Sequence, residues 1–174
     1  MVRKKKGKKG NLFDILFIGV FIFIMAITII FSSKILHEVA DGFNETLADD
    51  SFNFSNNETV TTLNTLSDEF DLVYDNSFVI IFMVLNIGVI VSAFWVRSHP
   101  AFFFVAVLLL IIFAFLNMIF SNTYFEIMSE PDLAGTALNF PMMTLVMRYL
   151  PYFTIVFSIF TIVVLYAKGG GQEG

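Results

Sequence analysis

Residues 77–120 read SFVIIFMVLNIGVIVSAFWV RSHP AFFFVAVLLLIIFAFLNMIF: two uncharged apolar runs of 20 residues on either side of a four-residue break. A bilayer core about 30 Å thick takes about 20 residues of helix, and a helix satisfies its own backbone polar groups in lipid. Each run, Ser77–Val96 and Ala101–Phe120, is therefore read as a membrane span. Residues 97–100 allow only a reversal of direction, so the spans are expected to form an antiparallel hairpin, with Pro100 suited to the first turn of the second. Working outward, Leu12–Ser32 and Tyr149–Ala167 are two further runs of span length, the first with one acid, Asp14, in its opening turn. The first run is longer than the apolar region of a secretory signal and no small-residue cleavage site follows it, so it is read as a retained anchor.

The chain of 174 residues is 57% hydrophobic and 14% charged, with 23 Phe and no Cys. Soluble domains carry about 25% charged residues, so the composition agrees with a membrane protein. Without cysteine there is no disulfide framework, thiolate nucleophile or iron–sulfur ligand set.

The expected fold is all-α: a polytopic membrane protein with four transmembrane helices and an outer amphipathic helical hairpin. Its parts are a basic inner tail (1–11), a first span (12–32), the outer hairpin (33–76), a second span (77–96), an inner turn (97–100), a third span (101–120), an outer loop with short helices (121–148), a fourth span (149–167) and a flexible inner C-terminus (168–174). Charge sets the orientation. Of ten basic residues, all but Lys34 and Arg148 fall on the side of the termini and the short turn. Ten of fifteen acids lie between Glu38 and Asp75, on the opposite side. The excess of Lys and Arg places the termini inside and both long loops outside.

Arg3, Lys4, Lys5, Lys6, Lys8 and Lys9 are expected to face anionic headgroups, each contributing about 1 kcal/mol near the surface. Non-specific contact with nucleic acid is the second reading of that tail.

Beyond the first span, Ile35, Leu36, Val39, Phe43 and Leu47 recur at helical spacing, and the first helix is expected to continue outward to about Ala48. DDSFNFSNN (49–57) reads as a loop, Ser55 and Glu58 have capping-box spacing, and Val60, Leu63, Leu66, Phe70 and Val73 form the stripe of a second amphipathic helix. The two stripes are expected to pack together, with an acidic outer face. Phe52, Phe54, Phe70, Phe140, Met142 and Met143 are expected to face a partner on the outer side. Ser129 is expected to cap a short helix starting at Glu130 and Pro131, with Asp132 completing the cap. Phe140 and Pro141 open a further Met-rich turn ending near Arg148, where Tyr149 and Tyr152 enter the aromatic belt. Pro151 is expected at the start of the last span. Triplets of the Asn-x-Ser/Thr form begin at Asn44, Asn53 and Asn57, a weak glycosylation signal in so Asn-rich a loop.

No ionisable residue lies deeper in a span than Asp14, which disfavours pumps and coupled transporters. Asn86 and Asn117 are the strongly polar residues within the spans, expected to bond between the second and third helices or to neighbours. Gly88 and Ser92 form a small-residue face for close helix approach, and these four are the expected helix–helix contact residues. His37 and His99 fall on opposite faces and cannot share a metal. Glu126 and Glu130 share a helical face but lack the His partners of a carboxylate metal site. No phosphate loop, nucleophile elbow or HExxH occurs, so no enzyme, metal or cofactor is expected.

The Lys-rich start leading into NLFDILFIGVF (11–21), RSHPAFFF (97–104), SNTYFEIMSEPDLA (121–134), NFPMMTLVMRYLP (139–151) and LYAK (165–168) together resemble small four-span membrane proteins of tailless icosahedral bacterial and archaeal viruses with an internal membrane. The resemblance implies a minor virion membrane protein beneath a jelly-roll capsid, homo-oligomeric or joined to other membrane proteins. Its basic tail would then meet lipid and genome, and its outer segments capsid or penton proteins. Two other readings stand beside it: a pore-forming or genome-delivery protein, in which Asn86, Ser92, Asn117, Ser158 and Thr161 line a narrow path, and an accessory subunit of a larger membrane complex.

Overall fold

A computed structural model describes residues 13–48, 57–93 and 102–167, with side chains placed for 16–46, 61–93 and 103–167. Among the described residues the chain is all-α, with five helices: α1 (Phe13–Ala48), α2 (Asn57–Ala93), α3 (Phe102–Met128), α4 (Pro131–Ala137) and α5 (Pro141–Ala167). Four of them, all but α4, are long and apolar enough to cross a membrane, and the chain is a multi-pass membrane protein. The basic tail with Arg3 to Lys9, the loop bearing Phe52 and Phe54, Ser55 of the capping box, the 97–100 turn and the C-terminal segment lie outside the described residues.

α1 has 36 residues and α2 has 37. At 1.5 Å per residue each is about 54 Å long, far more than a bilayer core of about 30 Å. Each apolar span therefore continues without a break into a projecting, more polar helix, and together these form a stalk. The α1–α2 seam runs from the membrane levels to the stalk, with Asn44 Nδ2 donating to Asn64 Oδ1 at 3.3 Å near its far end. The end of the bundle bearing the α1–α2 connection is called here the stalk end, and the other the terminal end.

Around the bundle the neighbours run α1, α2, α5, α3 and back to α1, with α4 lying against α1 and α3. The second and third spans were expected to pair directly. Instead α2 and α3 sit on opposite corners, and each pairs with a helix further along the chain. A short connection fixes direction but not adjacency, and side-chain fit decides the rest.

The stalk seam differs from the expected one. Ile35, Val39, Phe43, Leu66 and Val73 are exposed, whereas Ser33, Ala40, Ser67, Asp71 and Asp75 are buried. The helices meet along small and polar residues, which permit close approach and hydrogen bonding, and a wide apolar stripe is left uncovered.

The core lies where the spans pass into the stalk end, built from Ile22, Ile30, Phe78, Tyr124, Phe140, Met143 and Met147 among others. Phe140 and Met143, expected to meet a partner, are fully buried in it. Their apolar surface is covered by the chain's own helices, because α4 and the first turn of α5 fold back over the bundle. Met142 stays half exposed, and Phe70 is half-buried against Tyr74, ring centroids 4.1 Å apart.

Two helix starts also differ from expectation. The N-cap of α4 is Glu130, with no side-chain cap, and Ser129 instead donates its hydroxyl to the Glu126 carbonyl at 2.7 Å. Pro151 lies inside α5 rather than at its start. Its ring removes one backbone donor, a loss that membrane helices tolerate where neighbouring helices and Ser/Thr side chains bond the freed groups. The carbonyl it frees is that of Met147, and one turn later the Thr154 hydroxyl makes a separate bond within the helix, to the Leu150 carbonyl at 2.9 Å. Arg148 is exposed and lies over the Phe125 ring, 5.4 Å from its centroid, while Tyr149 and Tyr152 are exposed beside it.

Candidate functional site

A level of buried polar groups crosses the bundle where the stalk meets the spans, and two carboxylates organise it. Asp71 and Asp75 are one turn apart on α2, in line with Ser67 above and Phe78 and Phe82 below, so the face that is apolar within the membrane becomes acidic here. They are 6% and 4% exposed. An ionised carboxylate without partners at such a position is costly, so the question is what bonds them.

Asp75 caps α5. Pro141 occupies the first helical position and has no N–H, and Phe140 before it has no side-chain oxygen to serve as a cap. The next two backbone N–H groups would be orphans. Met142 N–H donates to Asp75 Oδ2 at 3.0 Å, and Met143 N–H to Asp75 Oδ1 at 2.7 Å. A side chain 67 positions away in sequence thus replaces a local N-cap, and the carboxylate also sits at the positive end of the helix dipole.

Asp71 ties α1 and the α4–α5 link to α2. Ser33 donates its hydroxyl to Oδ1 at 2.5 Å and Asn139 its amide to Oδ2 at 2.7 Å. His37 Nε2 lies 3.4 Å from the same Oδ2. Beside this cluster the Tyr124 hydroxyl pairs with Thr144 Oγ1 at 3.2 Å, which brings in α3. All four carboxylate oxygens accept hydrogen bonds from protein donors. Chemically this arrangement is a clamp: it holds the α1–α2 hairpin to the α3–α4–α5 unit. Among the described residues no group of three His, Cys, Asp or Glu side chains could hold a metal.

A second polar contact lies within the spans. Asn117 on α3 donates to Thr154 Oγ1 on α5 at 2.9 Å, so of the two expected partners, α2 or another neighbouring helix, it takes the second. Its Oδ1 points at Gly19 of α1, where a Cβ would overlap it. At Gly19 a larger side chain would have to displace the Asn117 amide, which is held on its other side by Thr154. Asn86 is buried but donates within its own helix, to the Phe82 carbonyl at 2.8 Å. Ser158 and Thr161 are buried between helices, and Ser92 is half-buried. Gly88 is exposed, with nothing within 4 Å of an added Cβ, so its small-residue face meets no helix of this chain.

Gly19→Val should therefore destabilise the bundle by about 1–3 kcal/mol through overpacking. Asn117→Ala in the same chain should recover part of the loss by vacating the space. Unfolding of the two single variants and the double variant in lipid discs checks this, and strictly additive losses would show that the two residues do not meet.

Ser33, Asp71, Asp75, Asn139, Gly19 and Thr154 make the polar and close contacts between helices, and the sequence pattern alone does not single them out. The available signal was the register of Ser67, Asp71, Asp75, Phe78 and Phe82, which places two acids in line with a membrane-buried face. Asn44, the first glycosylation triplet, is half-buried and bonded to Asn64.

No protein-family model, curated protein or solved structure matches the chain.

Proposed function

We propose that the chain is a structural, non-catalytic membrane protein that holds a bilayer at a fixed distance from a protein layer on its stalk side. The observation that carries this reading is the clamp. Two helices leave the membrane without a break, and Asp71 and Asp75 fasten them to the rest of the bundle at the point of exit. A stalk braced in this way transmits force and position. Its projecting part exposes Glu38, Asp41, Glu45, Asp68 and Glu69, with Lys34 already paired to Glu38 at 3.4 Å, so the layer it meets is basic at the contact.

On this reading the stalk lies outside and both termini inside, which the distribution of Lys and Arg supports. In the setting that the sequence resemblance implies, the bilayer is the internal membrane of a virion and the overlying layer its capsid or penton proteins. The tail of Arg3 to Lys9 then faces lipid and genome. A pore is the second class of reading. It is less favoured because Asn117 donates to Thr154 across a helix contact, Asn86 donates within its own helix, and Asn86, Asn117, Ser158 and Thr161 are buried within the bundle rather than set on a surface that an oligomer could line.

The decisive experiment neutralises the acidic flank with Glu38→Gln, Asp41→Asn and Glu45→Gln together. The triple variant should insert and fold normally but lose cross-linking to the overlying protein layer in intact particles or envelopes, with conductance of the purified protein in planar bilayers at background throughout. Unchanged cross-linking, or ion flux that Asn117→Leu abolishes, would overturn the structural reading. Because the chain lacks Cys, Thr46→Cys is a clean reporter of orientation, and an impermeant maleimide should label it from outside.

A further inference from the structure

The α1–α2 pair has two flanks of opposite character. On α1 the seam positions are Ser33, Ala40 and Asn44, while Gly19 and Phe23 turn toward α3, Phe23 stacking on Phe120 with centroids 5.2 Å apart. Following 100° per residue along the helix, Lys34, Asp41 and Glu45 lie on that same flank, above α3. Leu36, Val39 and Phe43 lie on the other. On α2, Asp75 and Phe82 turn toward α5, Phe82 meeting Phe153 at 5.3 Å, whereas Phe70, Tyr74 and Gly88 lie on the opposite flank. In an antiparallel pair of right-handed helices these two opposite flanks fall on one side. The pair therefore presents a single open face, away from the rest of the bundle and free of charge throughout its described side chains.

This face does not stop at the membrane. Val39, Phe43 and Tyr74 lie beyond the apolar runs 12–32 and 77–96, yet are 45%, 51% and 42% exposed. Lipid can cover Gly88 but cannot reach Phe43. The spacing along the face is seven residues, Leu36 to Phe43 on α1 and Tyr74 through Ile81 to Gly88 on α2, the repeat that keeps a helix–helix seam continuous over many turns.

We propose that a second copy of this chain covers the face, in a two-fold dimer with both copies in the same membrane orientation and α1 of each against α2 of the other. The occupant has to match an uncharged strip that runs unbroken from lipid depth to well above the membrane. A second copy has that profile. Its acids point to the far side, so the approach brings no like charges together. Two helices about 54 Å long and 8–10 Å apart offer roughly 900 Å² per copy, above the roughly 800 Å² per partner of a standard stable interface. The exposed Gly88 allows close approach within the membrane, where packing rather than hydrophobicity drives association. The inference goes beyond the structural role proposed above and does not depend on it.

The full-length chain, free of native Cys, provides the test. Two differently tagged copies are co-expressed, one carrying Val39→Cys and the other Phe70→Cys, and oxidised in the membrane with copper phenanthroline. A cross-linked product bearing both tags is expected, with only background product from Asp41→Cys and Leu72→Cys, which are exposed on the backs of the same helices. Independently, the fluorophore-tagged chain without engineered Cys should bleach in two steps in lipid discs. A single step, no product from the Val39 and Phe70 pair, or equal product from the back-face pair would overturn the dimer.

Discussion

Asp75→Ala is expected to lower the stability of the bundle by about 3 kcal/mol or more, since it removes two hydrogen bonds to a charged acceptor, each worth about 1.5–3 kcal/mol, and leaves two backbone donors buried. The effect should be local at first. Met142 and Met143 N–H groups bond Asp75 and no other acceptor in their own helix, so their hydrogen exchange should accelerate before the rest of α5 loosens. Asp75→Asn tests the charge separately from the shape. Its amide keeps one acceptor oxygen but turns an NH₂ toward the other backbone donor, and should fall between wild type and alanine. Exchange at Met142 and Met143 that is identical in all three proteins would show that the carboxylate does not cap α5.

Phe140→Ala should cost about 3–5 kcal/mol, the usual range for deleting a fully buried aromatic side chain. Phe140 is completely buried, between the end of α4 and the start of α5, and packs in the cluster that includes Phe78 and Tyr124. The loss should appear as a lower midpoint of thermal unfolding in lipid discs. Met142→Ala, two residues away but half exposed, should shift it far less. Equal shifts for the two variants would mean that Phe140 faces outward, as a partner-contact role requires. The pair of substitutions thus separates packing from docking at neighbouring positions.

Four spans and two long projecting helices were legible in the sequence because they follow from a physical requirement: lipid demands about 20 uncharged residues per crossing, and amphipathic spacing beyond a span continues its helix. The seam was not legible. Hydrophobicity marks the buried face of a soluble helix, but beside a membrane an apolar residue is equally content against lipid, so Ile35, Val39 and Phe43 pointed to the wrong face. The contacts are made by Ser33 and Ala40, whose small size matters, and by Asp71 and Asp75, which look like surface acids until their donors are in place. Apart from Ser33, those donors are Asn139 and the N–H groups of Met142 and Met143, almost 70 residues further along the chain. No local pattern could pair them. Phe140 and Met143 were misplaced for a related reason: a Met-rich turn between two spans reads as a sticky surface unless α4 is known to fold it back onto the core.

The distance in sequence between Asp75 and the helix it caps has a consequence for biogenesis. The α1–α2 hairpin leaves the ribosome complete, with Asn44 able to meet Asn64, while the acceptors of Asp71 and Asp75 still await most of their donors. They acquire them only when the α4–α5 link and the start of α5 arrive, with Pro141 in place. A chain truncated before that point keeps the Ser33 bond to Asp71 but leaves Asp75 with neither of its donors at the membrane boundary, a feature that sets unfinished copies apart from finished ones.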